Sequence, residues 1–170
     1  ANDHGDQTHR GGSQFTVLQA LTGATYGLAH HNYWLTDAPD AESDAIAAGE
    51  PFDSPSLYVC EPDDGAMRPA DSAARRIAVP AARHDVVAGA NWRALATDYA
   101  HHVDAQLAQR GYPSKGRLMW QQVVSPAEYG EVSGNRDGSL VGPDYRGIAS
   151  ALARTDTGPL RGEFRVGAAA

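Results

Sequence analysis

The sequence is poor in cysteine, in basic residues and in long apolar stretches, and each shortage excludes a class of protein. Its single cysteine, Cys60, forms no internal disulfide bond, so we expect a reducing, cytoplasmic compartment. Lys and Arg number 14 against 21 Asp and Glu, and the net charge of −7 argues against general nucleic-acid binding because it repels phosphate. No apolar run reaches the roughly 18 residues of a transmembrane helix.

Self-contained catalytic and metal-binding motifs are missing as well. The chain has no Gly-x-Ser-x-Gly, no phosphate-binding loop, no GxGxxG and no HExxH. The adjacent pairs His30-His31 and His101-His102 point to different faces of a strand or diverge by about 100° on a helix, so no metal site is expected. Cys60 is interpreted as a small buried side chain. Either the protein performs no chemistry, or the chemistry belongs to a cofactor held by residues outside the chain.

Local patterns predict an α+β domain. Residues 91–110 form the clearest helix, because Asn91 is a good N-cap, apolar residues recur at 3.6-residue spacing and Gly111 follows the last turn. Ser125 and Glu128 match a capping box and predict a short helix after them. Strands are predicted over 14–21, 31–35, 56–60, 75–79, 117–124 and 163–166, and a short helix over 40–48. We therefore expect a mixed sheet packed against one long and several short helices.

Several short stretches of the sequence occur in an order that matches one protein family. They are LAHHNYW at 28–34, SPSLYVC at 54–60, Asn91-Trp92 opening the long helix, SPAEY at 125–129, GNRDGSL at 134–140 and LRGEFRVGA at 160–168. Together they resemble the C-terminal half of the phytoene desaturase family. These proteins are FAD-dependent carotenoid desaturases and related isomerases, within the amine-oxidase-like flavoprotein group. The resemblance extends over nearly the whole chain after residue 13.

The resemblance implies a piece of a two-domain flavoprotein. Residues 1–13 are expected to be a flexible N-terminal segment, 14–155 the substrate-binding domain, and 156–170 the truncated start of a return into the FAD-binding domain. The family's GxGxxG, which holds the FAD pyrophosphate at a helix N-terminus, is not in the chain. FAD is thus the implied cofactor, and the missing flavin-binding half or a partner chain is expected to hold it.

The matching motifs also suggest residues for the cofactor and substrate sites. The implied cofactor-binding residues are Arg136, Gly138, Ser139, Val166, Gly167 and Ala168. The implied substrate residues are four aromatic side chains, Tyr33, Trp34, Tyr58 and Trp120. Packing in the core is the alternative role for the aromatic residues, and a solvated turn position is the alternative for Arg136. No catalytic residue is assigned.

In this family the flavin takes a hydride from an allylic carbon of a long polyene, or supports isomerisation in its reduced form. The resemblance therefore implies desaturation or isomerisation of a carotenoid-like polyene. An apolar substrate needs orientation more than acid–base chemistry, which agrees with the missing catalytic dyad. A substrate that dissolves in bilayers also implies peripheral contact with a membrane. The alternatives are a non-catalytic split module and a free-standing α+β domain, either of which would bind an apolar ligand or a partner subunit.

Overall fold

Five strands and three helices follow one another along the part of the chain that the structure describes. The structure is a computed structural model that describes residues 11–140 except residues 26, 63–68, 88, 135 and 136. The strands are β1 (Ser13–Thr22), β2 (His31–Trp34), β3 (Leu57–Cys60), β4 (Ser72–Ala81) and β5 (Leu118–Val124). The helices are α1 (Pro39–Ala48), α2 (Trp92–Gln109) and α3 (Pro126–Ser133). The α+β class expected from the sequence is confirmed.

The strands form one sheet in the order β2-β3-β4-β1-β5. Its central pair, β1 and β4, is paired residue by residue, from Ser13 opposite Ala81 to Thr22 opposite Ser72. This pairing and the three others among the described strands are all antiparallel, so the sheet is antiparallel and not the mixed sheet that the sequence led us to expect. Directly paired residues project to the same side of a sheet, so the register determines which side chains share a face.

Helix α2 covers one face of the sheet. Asn91 caps it, because its side-chain oxygen accepts a hydrogen bond of 3.2 Å from the Ala94 amide, and Gly111 follows its last turn with a φ of 89°. The core between helix and sheet is formed by Val17, Leu57, Val59, Ile77, Val79, Ala100, Val103 and Leu107. Full burial of one such Val, Leu or Ile side chain contributes about 1.5–3 kcal/mol. No helix within the described ranges is long and apolar enough to cross a lipid bilayer.

A charged side chain, Arg75, is buried on the same side of the sheet as this core. Its Nε donates a hydrogen bond of 3.1 Å to Glu61 Oε2, and neither side chain is more than 8% exposed. One of its terminal nitrogens donates to the Tyr112 carbonyl at 3.2 Å, and the other donates to Thr25 Oγ1 at 3.3 Å. These acceptors replace the water that the guanidinium loses on folding, so removal of Glu61 leaves an uncompensated buried charge.

The boundaries of the described elements agree with the sequence predictions to within three residues. The largest difference is at β4, which begins three residues before the predicted strand and continues through Pro80, where the prediction ends it. The pairing of β3 with β4 ends at Tyr58 opposite Ala78, so Pro80 has a partner strand on one side only, a position where proline is tolerated. The strand predicted over 163–166 lies outside the described residues.

Candidate functional site

The sheet has a second face, opposite α2, which we call the open face. Its members are the alternate strand residues Gln14, Thr16, Leu18, Ala20, His31, Tyr33, Tyr58, Cys60, Ala74, Arg76, Ala78, Pro80, Trp120, Gln122 and Val124. Only Ala78 among them is buried, whereas the intervening residues of β1 and β3 are buried from Ser13 to Leu21 and at Leu57 and Val59. Helix α2 therefore covers one face of the sheet, and the open face is the more accessible of the two.

The strand register arranges the open face in rows that cross the sheet. One row, in strand order from β2 to β5, is Tyr33, Tyr58, Ala78, Thr16 and Val124. The next row is His31, Cys60, Arg76, Leu18 and Gln122. The first row is mainly aromatic and aliphatic, and the second places an imidazole, a thiol and a guanidinium side by side. An apolar band thus lies next to a polar cluster on the same surface.

A groove of about 370 Å³ lies on the open face. Its walls include Tyr33, Leu35, Tyr58, Ala78 and Pro80. Leu35 is 78% exposed and Tyr33 is 68% exposed, and exposed apolar side chains that lie together are typical of binding surfaces. Because ligand sites are concave and mostly lined by apolar and aromatic groups, this groove is the candidate site of the described residues.

The structure brings together two of the four aromatic residues predicted to contact substrate. Tyr33 and Tyr58 are directly paired across β2 and β3, with ring centroids 4.8 Å apart and ring planes at 37°. Trp120 shares the open face and is 51% exposed, but it lies on β5 at the opposite edge of the sheet. At about 4.8 Å per strand, β2 and β5 are roughly 19 Å apart. An elongated ligand is needed to contact both edges.

Trp34 lies on the other face of the sheet. It follows Tyr33 along β2, and successive side chains of a strand point to opposite sides. Its ring centroid is 5.9 Å from that of Tyr112, and it packs against the core below α2. Trp34 therefore packs in the core, which is the alternative role given for the aromatic residues. Leu35, Ala78 and Pro80 line the groove although no motif singled them out, since only the strand register places them beside Tyr58.

Tyr58 contacts two polar side chains of the open face, His31 and Arg76. Its Oη lies 2.9 Å from His31 Nδ1, and Arg76 Cζ lies 5.7 Å from its ring centroid. Desolvation and a side-chain hydrogen bond with Cys60 raise the pKa of the Tyr58 phenol above its ordinary value, and Arg76 acts in the opposite direction. The phenol therefore stays neutral to a higher pH than an unperturbed tyrosine does.

Gly138 and Ser139, two of the predicted cofactor-binding residues, lie in a packed turn. Gly138 has a φ of 70°, and a Cβ built on it would lie far inside van der Waals contact with the Pro126 carbonyl oxygen. Its own carbonyl accepts a hydrogen bond of 2.5 Å from Ser13 Oγ. Ser139 is 5% exposed, and its amide donates to Asp137 Oδ1 at 3.2 Å. The space beside Gly138 is thus filled by this chain's own backbone.

These contacts do not fit a direct contact with a flavin. A cradle for a ring or a pyrophosphate offers free backbone amides and open space, whereas this turn is closed by Pro126 and Ser13. The other predicted cofactor-binding residues, Arg136, Val166, Gly167 and Ala168, lie outside the described residues. The turn does connect to the groove, because Ser13 lines the groove and also donates to Gly138.

The two histidine pairs differ in their arrangement. His30 precedes β2, so strand alternation does not apply to it, and its ring centroid lies 4.4 Å from that of His31. On α2, His101 is exposed, whereas His102 Nε2 lies within hydrogen-bond distance of the Asp53 carbonyl. The side chains of His101 and His102 therefore diverge as predicted, whereas those of His30 and His31 lie close together.

A second cavity, of about 220 Å³, lies between α2 and the loop before β3. Phe52, Leu95 and Tyr99 line it, together with the polar Asp98 and His102. Burial raises the pKa of the Tyr99 phenol above its ordinary value, although a hydrogen bond with the Phe52 backbone lowers it. No sequence motif pointed to this cavity, because its walls come from a loop and a helix that are distant in the sequence.

Comparison of the chain with protein-family models and with curated proteins finds no match.

Proposed function

We propose that this chain is the substrate-binding part of an FAD-dependent oxidoreductase that desaturates or isomerises a carotenoid-like polyene. The order of short motifs that resembles the phytoene desaturase family suggests the reaction. The open face and its apolar groove support the role of this part of the chain, because a long hydrocarbon needs an accessible, elongated apolar surface. The pairing of Tyr33 with Tyr58 on that face is the observation on which the proposal chiefly depends.

In this proposal the open face orients the polyene and excludes water from one side of it. Tyr33 and Tyr58 offer ring faces to a conjugated chain, while Ala78 and Pro80 provide a flat aliphatic floor. The phenol of Tyr58 remains neutral, so no charge is buried beneath the hydrocarbon. FAD would be the hydride acceptor. The described residues of this chain would have no role in binding FAD.

Liposome flotation tests the binding role. The intact chain is mixed with liposomes that contain phytoene and with liposomes of the same lipid without it. We expect a larger floating fraction with phytoene. Tyr33→Lys should reduce the apparent affinity for phytoene about tenfold or more, because it replaces an aromatic contact of about 1.5–3 kcal/mol with a charge that must lose water.

Val132→Lys is the matched control, since Val132 is 88% exposed on α3 and does not line the groove. It introduces the same charge, so it should float with phytoene as the unchanged chain does. Equal losses in Tyr33→Lys and Val132→Lys would show that charge alone matters and would contradict a site on the open face. Equal flotation with and without phytoene would also contradict the proposal.

The alternative is a non-catalytic module that uses the same face for an apolar ligand or a partner subunit. The coding DNA on both sides of this segment separates the two. An in-frame strand–GxGxxG–helix upstream and a Gly-rich turn downstream support the oxidoreductase, because they are the flavin-binding segments that its chemistry requires. Stop codons at both ends would contradict the oxidoreductase while leaving the binding role to the flotation test.

A further inference from the structure

Two histidines and the only cysteine of the chain meet at the β2 edge of the open face. His31 and Cys60 are directly paired across β2 and β3 and share that face. His30 approaches them from the turn before β2, and one donor atom from each of the three side chains lies within 4.8 Å of the others. Ligands at about 2.0–2.3 Å from a tetrahedral zinc ion are roughly 3–4 Å apart, so small side-chain rotations close the cluster to that size.

Hydrogen bonds between the turn before β2 and the end of β3 bring the three side chains together. The Glu61 amide donates to the His30 carbonyl at 3.0 Å. Asn32 joins the same turn to β3, because its Nδ2 donates to the Val59 carbonyl at 3.1 Å while its Oδ1 accepts from the Ala29 amide at 2.9 Å. The convergence of the three donors is therefore a property of the strand pairing and its turn.

Tyr58 supports the cluster from the neighbouring row. Its Oη lies 2.9 Å from His31 Nδ1. Histidines that bind a metal through one ring nitrogen almost always hydrogen-bond a neighbour through the other, which fixes the tautomer and the ring orientation. Tyr58 is placed to do this for His31.

We propose that His30, His31 and Cys60 bind one Zn²⁺ ion at this edge of the sheet. Two imidazole nitrogens and a thiolate are the nitrogen and sulfur donors that zinc prefers, whereas Mg²⁺ and Ca²⁺ take oxygen ligands. Binding displaces the thiol proton, so one thiolate and two neutral imidazoles face the dication. Three protein ligands leave a fourth position for water or an added ligand.

Replacement of Arg76 should change the metal affinity in the direction opposite to the loss of a ligand. It is directly paired with Cys60 on the open face, and its guanidinium carbon lies 5.7 Å from the Tyr58 ring centroid. A like charge beside a metal ion weakens its binding. Arg76→Gln should therefore bind the ion more tightly than the unchanged chain, whereas loss of a ligand weakens binding.

Titration of the reduced, intact chain with Co²⁺ tests the site without any polyene or flavin, so its outcome is independent of the proposed function. We expect one Co²⁺ per chain, with a thiolate-to-cobalt charge-transfer band and the intense visible bands of tetrahedral cobalt, and we expect Zn²⁺ to displace it. Cys60→Ser should abolish the charge-transfer band. His31→Ala should weaken binding at least tenfold. Loss of a residue that only hydrogen-bonds to a metal ligand already lowers metal affinity about 10–100-fold.

His101→Ala is the matched control, because His101 is an exposed histidine on α2 outside the cluster. Its titration should match that of the unchanged chain. Circular dichroism of each variant establishes that it is folded. The proposal is overturned if the folded chain gives no thiolate band, if Cys60→Ser retains the band, or if His101→Ala weakens binding as much as His31→Ala does.

Discussion

Replacement of Gly138 by alanine tests whether this glycine serves the fold or a flavin. The family resemblance implies a cofactor contact, whereas the structure gives Gly138 a φ of 70° and packs it against the Pro126 carbonyl. A new Cβ would also lie 3.0 Å from the His84 ring. If these contacts are the reason for glycine, the variant loses stability with no flavin present.

Two terms set the size of the loss. A left-handed backbone conformation costs a residue with a Cβ about 1–2 kcal/mol. Forcing an extra methyl group into a filled site costs about 1–3 kcal/mol. Gly138→Ala should therefore lower the free energy of unfolding by roughly 2–5 kcal/mol, a large part of the 5–15 kcal/mol typical of a domain.

Urea unfolding of the flavin-free chain, followed by circular dichroism, measures this loss. Gly134→Ala is the matched control, because Gly134 has a φ of 77° but has open space where a Cβ would be added. It should lose only the backbone term, about 1–2 kcal/mol. Equal losses in the two variants, or an unchanged stability of Gly138→Ala, would refute the steric argument and would again favour a cofactor contact for Gly138.

Two buried side chains give further predictions. Glu61→Ala should lower the free energy of unfolding by about 3–5 kcal/mol, because Arg75 stays buried without its partner. The control is Glu50→Ala, at an exposed position, which should change the free energy of unfolding by less than about 0.5 kcal/mol in the same urea assay. Burial raises the pKa of Tyr99 in the folded chain, so the unfolded chain ionises first near pH 10. The stabilisation that Tyr99 contributes is complete below pH 10 and is lost as the pH rises through the higher pKa of the folded state. The free energy of unfolding of Tyr99→Phe should therefore depend less on pH between pH 9 and 11 than that of the unchanged chain.

Local sequence signals predicted most of the fold. The capping box is formed, with Glu128 accepting from the Ser125 amide at 2.8 Å and donating its own amide to Ser125 Oγ at 3.3 Å. Asn91 caps α2 as predicted. Such signals are readable because each involves residues within four positions of one another. Pairing of β1 with β4 joins residues about 60 positions apart, so neither the antiparallel topology nor the extent of β4 could be predicted from local patterns.

The candidate site was harder to predict, because the strand register determines which side chains share a face of the sheet. Tyr33 and Trp34 are neighbours in sequence, yet strand alternation places one on the open face and the other against the core. His30 and His31 were expected to diverge, and they converge because His30 precedes the strand. The role of Gly138 in a closed turn depends on Pro126 and Ser13, which no motif connects to it.

Photocrosslinking with a diazirine-labelled polyene tests the central claim, that the open face is the polyene-binding surface. The labelled chain is digested and the modified residues are identified by mass spectrometry. We expect modification at Tyr33, Tyr58 or their neighbours in the groove, with competition by unlabelled phytoene. Modification confined to the cavity of Phe52 and Leu95 on the α2 side, with none on the open face, would contradict the account.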